Sequence, residues 1–133
     1  VQIGLPEVKL GVLPGTGGTQ RLTRLIGKSR ALDLMITGRL LSPSEALDYG
    51  IVNYLYPADQ LLARVDEYAR NLIAGPIRAA GLIKQSVLQG AEVHLDAGLF
   101  MERELQNRLF ITHDAQEGLQ AFIEKREPHF EGR

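Results

Sequence analysis

The sequence predicts an α/β fold in which most residues are helical. Three observations support this prediction. Apolar and β-branched residues open the chain and recur at residues 51–56, glycines crowd residues 11–18, and helical periodicity dominates from residue 59 onward. We therefore expect a strand, a tight turn, short helices, a second strand and then a helical C-terminal half.

Composition limits the classes of protein that fit. The chain has 133 residues, 44% of them hydrophobic, and a net charge of −1, so it can form a hydrophobic core but has no excess charge to attract nucleic acid. No long apolar run or signal-peptide pattern is visible, so we expect no membrane partner and a cytoplasmic location. The absence of cysteine excludes disulfides and thiolate metal sites.

The first elements are a strand, a turn and two helices. A strand is predicted for the opening VQIG, and a tight turn for GVLPGTGGTQ. Helical spacing in QRLTRLIG and KSRALDLMITG predicts two short helices that end at Gly27 and Gly38. Because the chain opens on Val1 in the middle of a strand pattern, we expect this sequence to be a fragment of a longer protein.

A third short helix has several start signals at once. Ser42 is suited to the N-cap, Pro43 to the first helical position, and Glu45 to closing a capping box. This helix is expected to end at Gly50, and the following IVNYLYP predicts a strand stopped by Pro57.

The second half is expected to be helical throughout. Apolar residues at helical spacing predict an amphipathic helix over residues 61–73. Further helices are predicted from Pro76 to about Gly90, over residues 95–110, and from a Thr112 cap to a C-terminal end at Lys125 and Arg126, before Pro128. Their apolar faces would be exposed unless another chain or another part of the protein covers them.

Several common sites are excluded by spacing. A phosphate-binding P-loop needs glycine at the position of Leu22, and the dinucleotide pattern needs it at the position of Gln20. The three histidines share no spacing that would hold a metal, so no metal site is expected. Basic residues alternate with glutamates, which indicates a solvated helix surface and no nucleic-acid partner.

Glu7 is a candidate catalytic residue with two possible roles. It lies among apolar residues just before the glycine-rich turn. It either projects into solvent from an edge, or an apolar pocket holds the carboxyl group and favours its proton-donating form. The glycines themselves either meet a need for positive φ or let the backbone approach a ligand closely.

Three stretches then resemble a known family. PEVKLGVLPGTGGTQRL, GKSRALDLMITGRLLSPSEALDYGIVNYLYP and FITHDAQEGLQAFIEKREP are similar to the C-terminal half of an enoyl-CoA hydratase of the crotonase superfamily. The resemblance covers essentially the whole chain. It implies that residues 1–57 are the last part of a ββα spiral core, and that residues 58–133 are an α-helical region that assembles homo-trimers or hexamers.

The resemblance also implies a reaction and the residues that perform it. Such an enzyme, a lyase of fatty acid metabolism, adds water to a 2-enoyl thioester of coenzyme A without a tightly bound cofactor. Glu7, in the P-E motif, matches the acid that protonates the α carbon, and Gly15, in P-G-x-G-G-T, matches the glycine whose N–H holds the attacking water. Phe122 and Lys125, in A-F-x-E-K-R, match residues that contact the adenine end of coenzyme A in a neighbouring subunit.

The sequence departs from the family pattern in one large respect. The family's first glutamate and both N–H groups of its oxyanion hole belong to a preceding half that this sequence lacks, so we expect this chain alone to be inactive. Two alternatives stay open: an isomerase that uses Glu7 as its sole acid and base, and an assembly module without catalysis. For Phe122 and Lys125 the alternative is helix packing with a surface charge.

Overall fold

Helices account for all the regular secondary structure of the chain. A computed structural model describes all 133 residues. The chain forms two compact units, Val1–Asp59 and Gln60–Arg133. None of the helices combines the length and the apolar content needed to span a membrane.

The unit Val1–Asp59 contains one short 3-10 helix and three α-helices. These are the 3-10 helix Glu7–Leu10, α1 Gly18–Ile26, α2 Lys28–Thr37 and α3 Pro43–Asp48. The predicted glycine ends are confirmed, because Gly27 caps α1 with φ 82° and Gly38 caps α2 with φ 61°. A glycine adopts these positive φ values without the steric cost that a side chain would add.

A small core joins α1 to α2 in this unit. Its buried residues are Ile26, Ala31, Leu34, Met35 and Leu41. Leu34 is fully buried, which contributes about 1.5–3 kcal/mol relative to an exposed leucine. The core is therefore built from the inner faces of α1 and α2 together with the segment that leads into α3.

Both predicted strands are wrong for this chain. In the opening segment only Ile3 pairs, with Leu41, through N–H···O bonds of 3.1 and 2.7 Å. Residues 51–57 form no strand at all. A strand is defined by hydrogen bonds to a neighbouring strand, and these segments have no further partner within the chain. The chain is therefore mostly helical, as predicted, but it contains no strand.

The predicted capping box of α3 is confirmed. The backbone N–H of Glu45 donates to Ser42 Oγ (3.3 Å), and that of Ser42 donates to Glu45 Oε2 (2.9 Å). This backbone bond, with help from the Ser42 hydroxyl and from Arg39, holds the pKa of Glu45 below its usual value. Arg39 also binds Asp33 (2.9 Å) and Tyr49 (3.0 Å), so it joins both ends of α3 to α2.

The unit Gln60–Arg133 contains four longer helices. These are α4 Leu61–Ala74, α5 Ile77–Gly90, α6 Leu95–Phe110 and α7 His113–Glu124. The four predicted helices are confirmed to within one or two residues. Thr112 caps α7 as expected, since its Oγ1 accepts a hydrogen bond from the N–H of Ala115 (3.2 Å).

The helices of this unit leave much apolar surface exposed. Neither α4 nor α5 contains a buried residue. Among the most exposed apolar side chains are Leu62, Leu95, Phe122 and Ile123. Apolar surface on this scale is typical of a surface that another polypeptide covers.

Candidate functional site

Glu7 is placed by the 3-10 helix that it begins. The turn is closed by a bond from the N–H of Val12 to the Glu7 carbonyl (3.3 Å). The Glu7 side chain is half-buried, and its Oε2 is the one shielded side-chain polar atom of the chain that has no hydrogen-bond partner. An unpaired, shielded acceptor costs about 1–3 kcal/mol, and a catalytic role is one of the explanations for such an atom in a native fold. The carboxylate of Glu7 therefore does not project wholly into solvent.

An apolar groove of about 360 Å³ lies next to this helix. Val8, the residue after Glu7, and Pro14, the residue before Gly15, both line it. The opposite wall is formed by three residues of α2, the exposed Leu32 and Ile36 and the largely buried Met35. Its volume lies within the range of small-molecule sites. The structure therefore brings the chain neighbours of Glu7 and Gly15 together on one groove.

The α2 wall of this groove was not among the site residues predicted from the sequence. Its signal was present, because residues 32, 35 and 36 follow helical spacing in KSRALDLMITG. The same helix also buries Ala31 and Leu34 in the core. Spacing alone does not tell which apolar face of such a helix meets the core and which stays open to a groove.

The glycine-rich turn contains glycines of two kinds. A Cβ at Gly18 would lie 2.7 Å from Pro14 Cβ and 2.9 Å from Leu5 Cδ1, and Gly17 has φ 95°, so the fold itself requires glycine at both positions. Gly15 has no positive φ, and a Cβ there would meet its nearest atom at an ordinary 3.7 Å. Gly15 is also exposed, and its N–H donates no hydrogen bond within the chain. The steric explanation therefore fails at Gly15.

Phe122 and Lys125 lie at the end of α7, in the other unit. The Phe122 side chain is 83% exposed, so packing within this unit does not account for it. Lys125 caps the helix with φ 54° and ψ 41°, and it is the only residue other than glycine with a positive φ. A left-handed conformation costs a residue with a side chain about 1–2 kcal/mol, which makes Lys125 an unusual choice for this position.

A network of ion pairs surrounds this helix end. Arg126 donates two bonds to Glu117, of 2.7 and 2.9 Å, and one of 2.6 Å to Glu124. The N–H of His129 donates to the same Glu117 carboxylate (2.8 Å). The Arg126 guanidinium, with help from this N–H, lowers the pKa of Glu117 to about 2.

Asp114 fixes the chain beyond this point. It is only 4% exposed, and its two oxygens accept bonds from the N–H groups of Glu131 (2.7 Å) and Gly132 (2.9 Å). The Glu131 N–H is the main cause of the lowered pKa of Asp114. Neither Asp114 nor Glu117 was predicted from the sequence, because their partners lie 9 to 18 positions away and follow no helical period.

The predicted residues thus fall into two separate groups. Glu7 and Gly15 belong to the unit Val1–Asp59, and Phe122 and Lys125 belong to the unit Gln60–Arg133. No cluster of three or more histidines and acidic residues lies in a position to hold a metal ion.

The whole chain, residues 1–133, matches the sequence model of a family described as enoyl-CoA hydratase/isomerase. The chain belongs to the enoyl-CoA hydratase/isomerase family. A probable enoyl-CoA hydratase of Mycobacterium tuberculosis, echA8, is 46% identical to it over 132 residues, which are 99% of this chain and 51% of the relative. The 2,3-dehydroadipyl-CoA hydratase of Escherichia coli is 42% identical over 136 residues, which cover 99% of this chain and 52% of that enzyme.

A solved structure gives the same result for the fold. The crystal structure of an enoyl-CoA hydratase from Geobacillus kaustophilus matches this chain with a TM-score of 0.95 and 52% identity. The match covers 99% of this chain and 50% of the Geobacillus kaustophilus chain. The expected resemblance to the crotonase superfamily is confirmed, as is a mostly helical portion of its fold. The chain spans about half the length of the curated relatives it matches.

Proposed function

We propose that the protein containing this chain adds water across the double bond of 2-enoyl-CoA thioesters, with Glu7 as the acid that protonates the α carbon. The observation that supports this most is the shielded Glu7 Oε2, which no group of the chain satisfies. Membership of the hydratase/isomerase family supplies the class of reaction. The adjoining apolar groove suits the hydrocarbon part of an acyl chain.

The proposed reaction divides the water between two carbons. The water oxygen loses one proton and bonds to the β carbon, the double-bond electrons shift toward the thioester carbonyl, and the α carbon then takes the proton of the Glu7 carboxyl group. The proton lost by water replaces the one that Glu7 gave up, so one water is added in total and the acid is restored. The exposed N–H of Gly15 is free to donate a hydrogen bond to the attacking water. No cofactor is needed, because neither electrons nor groups other than water are transferred.

We assign the other half of this site to residues outside the chain. A second carboxylate would orient and deprotonate the water, and two N–H groups would stabilise the oxyanion on the thioester oxygen. Loss of one such oxyanion donor alone lowers kcat by about 10²–10³-fold. Residues 1–133 by themselves are therefore expected to be inactive.

Phe122 and Lys125 are proposed to bind the adenine end of coenzyme A held in a neighbouring subunit. An exposed aromatic ring offers a face on which adenine can stack, and an ammonium group attracts the phosphates nearby. The unfavourable backbone of Lys125 supports this role, because such conformations are typically retained at functional positions. The exposed apolar faces of α4 to α7 support assembly into a homo-trimer or hexamer. A place in fatty acid metabolism in the cytoplasm belongs to the same proposal.

The central test is Glu7→Gln in the full-length protein, assayed by hydration of crotonyl-CoA. We expect kcat to fall by about 10²–10⁴-fold, because the amide retains the shape of the side chain but not the acid. Asp48→Asn is the matched control, since Asp48 is exposed in the same unit and accepts no hydrogen bond through its side chain. Hydration by Glu7→Gln at the wild-type rate would remove Glu7 from the mechanism.

A second candidate reaction is isomerisation with Glu7 as the sole acid and base. Glu7 supplies the chain's one shielded carboxyl oxygen without a hydrogen-bond partner, and a single carboxyl group is enough to move a proton between two carbons. Supplying a 3-enoyl-CoA separates the two reactions: isomerisation creates the conjugated 2-enoyl thioester and raises its absorbance, whereas hydration of a 2-enoyl-CoA removes it. Absence of both reactions from the full-length protein, in a trimer seen by light scattering, would favour an assembly module.

A further inference from the structure

Side-chain packing does little to hold Phe122 and Lys125 in place. Phe122 is almost fully exposed, so packing contributes little to its position. The last turn of a helix has carbonyl groups without intrahelical partners and tends to fray. Lys125 adopts the left-handed conformation that its own side chain disfavours. The N–H of Lys125 donates to the Phe122 carbonyl (3.3 Å), and contacts from elsewhere add to this restraint on the helix end.

Glu117 provides those contacts from two turns earlier on α7. Its carboxylate binds the Arg126 guanidinium through two parallel bonds, of 2.7 and 2.9 Å, which fix the orientation of the guanidinium as well as its position. The Glu117 side chain is 17% exposed, so solvent screens this pair less than it would screen a pair on the open surface. Because Arg126 directly follows Lys125, the fork restrains the left-handed turn.

The backbone around this turn is tied to the same helix. The N–H of Arg126 donates to the carbonyl of Ala121 (3.1 Å), which closes the end of α7. The N–H of His129 donates to Glu117 (2.8 Å), so the segment after the turn returns to α7. Asp114, one helical turn before Glu117, then holds the N–H groups of residues 131 and 132.

We propose that Glu117 is a positioning residue, which through Arg126 holds the left-handed turn at Lys125 and so keeps Phe122 and Lys125 oriented to bind the adenine end of a coenzyme A thioester. Glu117 itself does not touch the ligand. This inference rests on the ligand role proposed above for Lys125.

The sign of the expected effect separates positioning from simple charge. Coenzyme A carries several negative charges, so neutralising a nearby carboxylate should strengthen its binding through charge alone. Loss of positioning should weaken binding instead, because the freed side chains must be ordered again when the ligand binds. The two explanations therefore predict opposite changes in affinity for Glu117→Gln.

The test measures the Kd of butyryl-CoA, a saturated thioester that cannot be hydrated, by calorimetry on the full-length protein. For Glu117→Gln we expect Kd to rise by about 3–10-fold, with a smaller change in kcat at saturating crotonyl-CoA. Glu127→Gln is the matched control, because it makes the same charge change at an exposed carboxylate with no side-chain partner, one residue beyond Arg126. A lowered or unchanged Kd for Glu117→Gln would overturn the inference.

A double-mutant cycle with Lys125→Ala tests the ligand role of Lys125 and the positioning role of Glu117 separately. If Glu117 acts by positioning Lys125 and Phe122, Glu117→Gln should have a smaller effect on Kd when Lys125 is already alanine, because only the part that acts through Phe122 remains. An unchanged Kd for Lys125→Ala alone would remove the ligand role itself. A raised Kd for Lys125→Ala, with fully additive effects of Glu117→Gln, would remove only the positioning role. If thermal unfolding shows that Glu117→Gln is misfolded, Arg126→Lys takes its place in the cycle. Lysine retains the positive charge at this position but cannot form the two parallel bonds to Glu117.

Discussion

Alanine substitutions at two glycines of the glycine-rich turn, Gly18 and Gly15, should have different effects on stability and on activity. Adding one methyl group at Gly18 would place it 2.7 Å from Pro14 Cβ and 2.9 Å from Leu5 Cδ1, closer than carbon atoms approach one another. Relief of this overlap requires movement of the turn against α1. Overpacking of this kind costs about 1–3 kcal/mol, so Gly18→Ala should unfold several degrees below the wild type.

The same methyl group at Gly15 meets no such obstacle. Its nearest neighbour in the chain would be 3.7 Å away, in ordinary contact, and the backbone needs no positive φ there. We expect Gly15→Ala to change the free energy of unfolding by less than about 0.5 kcal/mol, because the methyl group causes no overlap and alanine restricts the unfolded chain. If the Gly15 N–H holds the attacking water, the methyl group should nevertheless crowd the bound substrate and lower the rate.

Two measurements on the full-length protein decide this prediction. In thermal unfolding, Gly15→Ala should have the same Tm as the wild type, and Gly18→Ala should have a clearly lower Tm. Hydration of crotonyl-CoA should fall in Gly15→Ala despite its intact fold. Wild-type turnover by Gly15→Ala would show that the turn at this position has no part in the site. Equal loss of stability in both variants would refute the steric reasoning.

Three further predictions concern helix ends and their charges. Ser42→Ala should lower the free energy of unfolding by about 0.5–2 kcal/mol in chemical denaturation, because α3 loses its cap, and an unchanged midpoint would contradict this. Lys125→Gly should raise stability by about 1 kcal/mol while it weakens butyryl-CoA binding, and a loss of stability would show that the left-handed backbone is not strained. The pKa of Glu117 lies at about 2, below its usual 4.5, so its pairing with Arg126 stabilises the fold above about pH 4.5 and is lost as pH falls toward 2. The stability difference between wild type and Glu117→Gln should therefore narrow over that range of acid titration, and a constant difference would exclude this linkage.

The sequence by itself determined the helices and most of their ends. The capping box of Ser42 and Glu45 lies within four consecutive residues, so it acts in the same way whatever surrounds it. Gly27 and Gly38 end their helices because glycine adopts positive φ at little cost. The family motifs also indicate Glu7 and Gly15 from short stretches of sequence alone. All of these signals depend on residues close together along the chain.

Only the tertiary structure decided how distant segments meet. Ile3 found a single partner in Leu41 where a strand had been expected, because strand pairing depends on what lies alongside. It also showed that Gly18 is sterically required and that Gly15 is not. Glu117 reached Arg126 nine positions away, across the end of a helix. Such contacts follow no sequence period, because packing in three dimensions determines them and local backbone preference does not.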